Sequence, residues 1–317
     1  MISFRFHVVS ITAVFLAIAI GVVVGSTYVD SSVVPGLRNR IETVEDRAAT
    51  ARDENSRLEG ELGDARDFIA LSAEYAVTDR LPDVPIAVFA TRGVDEGAAE
   101  RTVVLARTAG AVVPGIVWLE PRWALEGDED SEALATVVDG SASDDRNELW
   151  SDAWAAIAAE LAPETEGTTP TGEPASDVLA QLEAEGFLTV DPLDDATVSL
   201  TDLAGSGASV LVVTATEADP SIQPMMPSVV AAMAPGLPTV AGDEFAEIPD
   251  GPARGEELQE ALSEELRDTI SIVDDLDREE GRVAAVLALA EAGEGQVGFH
   301  YGYGDGADAV LPAWTSP

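Results

Sequence analysis

Few residues in this sequence could do chemistry, and they point in different directions. Met225 and Met226 are adjacent, with Met233 seven residues further on. Thioethers ligate soft copper(I), but three Met on one helix equally fill core space. His300, in "GFHYGYG", is the one histidine far from the N-terminus. Copper(II) wants several imidazoles, and a single histidine in such a loop reads as packed rather than as a catalytic base. Met225, Met226 and His300 are therefore the weak metal candidates. The chain has no Cys, which excludes disulfides and thiolate zinc, iron–sulfur or copper(I) sites.

Carboxylates are more abundant. Asp243 and Glu244 close one apolar run, and Asp274, Asp275 and Asp277 close another. Such groups could bind a hard cation such as calcium. In a chain with 59 acidic residues, solvated strand ends are the reading adopted. A phosphate cradle needs glycine between a strand and a helix. "AGSGAS" (204–209) precedes its strand, and "GYGDG" (302–306) follows the last helix without a basic partner; both read as turns. No G-x-S-x-G occurs. The sequence assigns no catalytic or cofactor-binding residue, and an enzyme is not expected.

The elements that would position these groups lie beyond residue 84. Short apolar runs, "IAVFA" (86–90), "GIVWL" (115–119), "SVLVVT" (209–214), "PTVAGD" (238–243) and "ISIVD" (270–274), alternate with helical stretches. Runs without polar alternation suggest strands covered on both faces. Alternation with helices predicts an α/β domain over 84–312 with a mostly parallel, doubly wound sheet. A polar Pro/Gly segment, 163–176, reads as an exposed loop.

Ahead of this domain, residues 33–79 carry a heptad pattern. Leu37, Ile41, Val44, Ala48, Ala51, Asn55, Leu58, Leu62, Ala65 and Ile69 follow an unbroken 4-3 alternation among charged neighbours. This is a coiled-coil seam. At 1.5 Å per residue the stalk would reach about 60 Å. Asn55 at an a position favours a parallel homodimer, where it meets its own copy. Flanking charges do not decide the matter: Arg40 would face Glu45 and Glu61 would face Arg66, but Arg47 would face Arg52 and Glu54 would face Glu59. Other oligomers, or packing on the chain's own helix near Glu256–Arg267, are the alternatives.

Residues 8–29 are uncharged and apolar. Crossing about 30 Å of hydrocarbon takes roughly 20 such residues, whereas a secretory core is usually only about 7–15 long. A retained transmembrane helix is expected, with a cleaved signal as the alternative. Gly21 and Gly25 form a G-x-x-x-G pair of the kind that lets helices approach, although glycine is also common in membrane helices. Arg5 and His7 precede the span and Asp30 follows it, which places residues 1–7 in the cytoplasm and the rest outside; Arg38 and Arg40 weaken this. The formal charge of −42, with 17 Arg and no Lys, should repel polyanions, so nucleic acid is not an expected partner.

The opening "MISFRFHVVSITAVFLAIAIGVVVGS", the heptads, "SIVDDLDREEGRVAAVLALAE" (271–291) and "GFHYGYGDGADAVLP" (298–312) resemble the actinobacterial MctB proteins (mycobacterial copper transport protein B). The resemblance covers nearly the whole chain. It implies a membrane-anchored cell-envelope protein in copper transport or copper homeostasis, with copper as the only implied ligand and, for one branch, an outer-membrane channel. An outer envelope layer is thus an alternative location. A related branch, SteB, implies a coiled-coil structural protein acting in septal cell separation beside a SteA-like membrane partner. A transmembrane barrel would need many alternating segments of about 9–11 residues, and the strands read here do not alternate.

Overall fold

The computed structural model describes residues 4–138, 145–163, 177–193, 199–216, 218–249 and 251–313, excepting the side chains of 26–36. Residues 164–176, nearly all of the expected 163–176 loop, lie outside the described residues. The chain divides into two compact units, Met1–Asp67 and Phe68–Pro317.

The first unit is helix throughout its described length. Helix α1 runs from Phe4 to Val77. Its first stretch, Phe4–Gly25, is long and apolar enough to cross a membrane; it begins four residues before the expected Val8 because Phe4 and Phe6 extend the apolar run. Further along, Leu37, Ile41, Val44, Leu58 and Leu62 of the heptad seam are exposed in the single chain, as are Ala51, Asn55 and Ala65, while Ala48 is half-buried. Arg57 bridges Glu54 one turn before it and Glu61 one turn after it. Such pairs support an exposed helix. They engage two of the carboxylates that would flank the seam.

The second unit opens with the last turns of α1. Ala73 and Val77 are buried in its core, and Ile69 is half-buried. The helix ends five residues before Pro82, where the prolines were expected to stop it. Asp79 adopts a left-handed backbone with φ 59°, a conformation that closes many helices.

Seven strands form one sheet: β1 (Ile86–Thr91), β2 (Ile116–Leu119), β3 (Leu188–Asp191), β4 (Ser209–Ala215), β5 (Thr239–Glu244), β6 (Ser271–Val273) and β7 (His300–Tyr301). Their spatial order is β3-β2-β1-β4-β5-β6-β7. All pairs are parallel except β2 with β3. The expected α/β fold with a mostly parallel sheet is the fold observed. Two strands exceed the sequence reading. The edge strand β3 is fully buried only at Leu188 and mixes Thr and Asp with apolar residues; β7 is only two residues long.

The connecting helices are α2 (Glu96–Thr108), α3 (Asp128–Val137), α4 (Arg146–Leu161), α5 (Val178–Ala184), α6 (Met226–Met233), α7 (Glu256–Ala261), α8 (Glu264–Arg267) and α9 (Glu279–Gly293). The stretch expected as one helix near Glu256–Arg267 is two, because Leu262 is extended (φ −105°, ψ 131°) and Ser263 caps the second. Side chains alternate along the inner strands. Ala87, Phe89, Val210 and Val212 face a core shared with α3 to α6, including Trp123, Trp150 and Trp154. Ile86, Val88, Leu211 and Val213 face the opposite core, shared with the end of α1, α2 and α9. A parallel sheet covered on both faces explains why β1, β2 and β4 are buried at every position.

Candidate functional site

In open α/β sheets, ligand sites gather at the carboxyl ends of the strands, above all where the strand order reverses. Here the reversal lies between β1 and β4. Next to it, Glu244 at the end of β5 accepts a 2.6 Å hydrogen bond from the backbone N–H of Asp95, which caps α2. Burial pushes the Glu244 carboxyl above its ordinary range.

The charged centre of this end lies further along, over β5, β6 and β7. Asp243 is the penultimate residue of β5, and Asp274 and Asp275 follow β6 directly. All three are buried, at 1% exposure or less. This corrects the reading of these carboxylates as solvated strand ends. The sequence could show that they end strands, but not that later loops close over them.

Asp274 is the hub. Its Oδ2 lies 2.9 Å from Nε2 of His300 and accepts from the Gly304 N–H at 2.7 Å. Its Oδ1 accepts from the Tyr303 N–H at 3.0 Å. The "GYGDG" segment thus forms an anion cradle for the protein's own carboxylate. Gly302 has φ +135°, and a Cβ there would sit 1.7 Å from Asp274 Oδ1; only glycine lets the backbone pass. Burial would raise the Asp274 carboxyl. The His300 ring, the Asp275 carboxyl and the two amides instead hold it below its ordinary value.

Beside Asp274, the Asp275 Oδ2 is buried without a hydrogen-bond partner among the described residues. Burial, followed by the neighbouring Asp274 charge, pushes Asp275 up to about 7. Arg254 opposes this. Its guanidinium donates to Asp275, to Asp277 at 2.6 Å and to the Asp274 carbonyl at 3.3 Å, and it lies 4.3 Å above the Phe245 ring. Nothing in the sequence singled out Arg254. Its hydrogen-bond partners are at least 20 residues away, and only the fold joins them.

Asp243 has the least compensation. Its Oδ1 is buried without a hydrogen-bond partner among the described residues, as is Oε2 of Glu257 on α7. Burial, then repulsion from Glu257, Asp274 and Asp277, pushes Asp243 up to about 8. Burial thus pushes two carboxyls of this cluster, Asp243 and Asp275, toward neutrality.

The metal candidates do not converge. Met225 and Met226 are enclosed in the core with Phe89 and the Trp residues, and His300 is engaged by Asp274. Among the described residues, no group of three or more His, Asp or Glu is arranged to hold a metal ion.

Comparison with known proteins gives one consistent result. Residues 1–312 match the family model described as "Copper transport outer membrane protein, MctB". The copper transporter MctB of Mycobacterium tuberculosis (strain ATCC 25618 / H37Rv) is 29% identical over 325 residues, covering 98% of this chain and 99% of the relative. The copper transporter MctB of Mycobacterium leprae (strain TN) is 28% identical over 323 residues, with the same shares covered.

Proposed function

The chain belongs to the MctB family, and on that premise we propose that it is a single-pass, membrane-anchored envelope protein serving copper transport or copper homeostasis without catalysing a reaction. The carrying observation is the match across residues 1–312, from the apolar opening to the glycine-rich cradle. The apolar stretch Phe4–Gly25 is the anchor in this reading, with the residues beyond Asp30 outside the cytoplasm. Two copies lie parallel along the seam Leu37–Ile69. The α/β domain works through its surface and its proton-holding cluster rather than through a soft-metal cage, since Met225 and Met226 are enclosed and His300 is held.

A second reading, a SteB-like spacer in septal cell separation with a SteA-like partner, is favoured by one observation. The seam side chains Leu37, Ile41, Val44, Leu58 and Leu62 are presented to solvent, as an interaction protein would present them. Growth of a deletion strain on graded copper, alongside microscopy of its septa, separates the readings. Copper sensitivity with normal division supports the first; chained cells with ordinary copper tolerance overturn it in favour of the second.

A further inference from the structure

Helices α7 and α8 are separated at Leu262, and the chain after β7 returns beside them. A cleft of about 340 Å³ lies here, with Arg254, Glu256, Gln259, Glu260, Arg267 and Asp305 in its lining. A neighbouring hollow of about 220 Å³ shares Gln259 and Arg267 and reaches His300. Two of the cleft's charges are already committed. Arg254 is held by Asp275 and Asp277, and the Glu256 carboxylate accepts from the Ala253 N–H at 2.6 Å. Arg267 is different. Its Nε is buried without a hydrogen-bond partner among the described residues. Its side chain forms no ion pair among them either, whereas Arg278 and Arg282 pair with Asp277 and Glu279. The chain has 59 acidic residues for 17 basic ones, so an arginine left open among carboxylates calls for a reason, and a buried donor left unmade is costly. Glu260 and Asp305 line the same cleft, and neither carboxylate has an ion pair or a hydrogen bond among the described residues.

We propose that this cleft binds a small zwitterion, an amino acid or dipeptide, whose carboxylate meets Arg267 and whose ammonium meets Glu260 and Asp305. A guanidinium presents a planar fork of donors that matches a carboxylate. An ammonium has three donors and no acceptor, which suits two free carboxylates. Opposite charges that line one cleft without pairing leave room for a ligand that carries both. A simple anion would meet Arg267 but be repelled by Glu260 and Asp305. A simple cation would satisfy those two and leave Arg267 open. The volume lies at the small end of ligand sites, which run from about 300 to 1,000 Å³, so the ligand is small. Gln259 steadies the Asp305 side of the cleft, because its amide donates to the Asp305 carbonyl at 3.0 Å. This site is separate from the buried carboxylates at the sheet end and does not depend on the copper reading.

Isothermal titration of the full chain in detergent tests this, with glycylglycine as the zwitterion and acetate and methylammonium as its two halves. Saturable binding of glycylglycine with a Kd near or below about 1 mM, and each half at least tenfold weaker, supports the proposal. Arg267→Gln and Glu260→Gln are each expected to weaken glycylglycine binding at least fivefold. Both should leave the circular dichroism spectrum unchanged, since neither side chain is hydrogen-bonded or ion-paired to another among the described residues. Absence of saturable binding up to about 20 mM overturns the proposal. Methylammonium binding as tightly as glycylglycine also overturns it, because that is attraction to an acidic surface alone. An affinity that Arg267→Gln leaves unchanged does the same.

Discussion

The imidazole Nε2 of His300 lies 2.9 Å from Oδ2 of Asp274, joining the short edge strand β7 to the end of β6. Around this contact the backbone amides of Tyr303 and Gly304 complete the shell of one buried carboxylate. The carboxyl end of the sheet is therefore organised about an internal anion, and its properties are open to measurement.

Gly302 is the most constrained position in that shell. Gly302→Ala combines a positive φ with a collision against Asp274. It is expected to destabilise the α/β domain by about 2–4 kcal/mol, in the range of backbone strain plus loss of a buried network. Urea unfolding of the solubilised chain, followed by Trp fluorescence, reads this out, since Trp123, Trp150 and Trp154 are buried in that domain. A change below about 0.5 kcal/mol would show that the cradle yields freely.

Asp243 should make the fold sensitive to alkali. Its folded pKa of about 8 exceeds the usual value of about 3.9 in an unfolded chain. The folded state therefore binds the extra proton between those values. The stabilisation is complete below about pH 4 and is lost as pH rises through about 8. Asp243→Asn removes this dependence: it should match the parent near pH 4 and exceed it in thermal stability at pH 9. Equal stability of the two proteins at pH 9 would contradict the assignment.

Arg254 holds the opposite sign. Its side chain is 14% exposed and that of Asp275 1%. Removing one member of a buried ion pair leaves a charge uncompensated and costs about 3–5 kcal/mol. Arg254→Met is expected to destabilise by about 3 kcal/mol at pH 8 and by less at pH 5, where Asp275 carries its proton. A loss independent of pH would point to packing on Phe245 as the main role of Arg254.

Asn55 tests the seam from its interior. A buried Asn at an a position costs stability and fixes register. Asn55→Leu is expected to tighten self-association and to admit stoichiometries above two in analytical ultracentrifugation. If the variant and the parent are both monomeric at high concentration, the parallel-dimer reading fails.

Much of this architecture was legible in the sequence. The apolar opening, the long helix that follows it and the five inner strands follow from periodicity and composition, because each is a local pattern of hydropathy. The edge strands were not. β3 is interrupted by polar residues that face outward, and β7 is two residues long, so neither carries a period. The site was legible only in its parts. Asp243, Asp274, Asp275 and His300 stand out as residues, but the return of residues 302–304 over Asp274 and Asp275, and the reach of Arg254 to Asp274, Asp275 and Asp277, are products of the fold. Met225 and Met226, weak metal candidates whose other reading was core filling, are enclosed in the core.

That same return of the chain also protects the molecule. After β7, Asp308 N–H donates to the His300 carbonyl and Gly302 N–H donates to the Ala309 carbonyl. The outer backbone groups of this two-residue strand are thus satisfied from within. A sheet margin left bare recruits strands from neighbouring molecules and seeds aggregation. Here a crowded array of such domains has no docking line along that margin, so many copies can sit side by side without fusing into a common sheet.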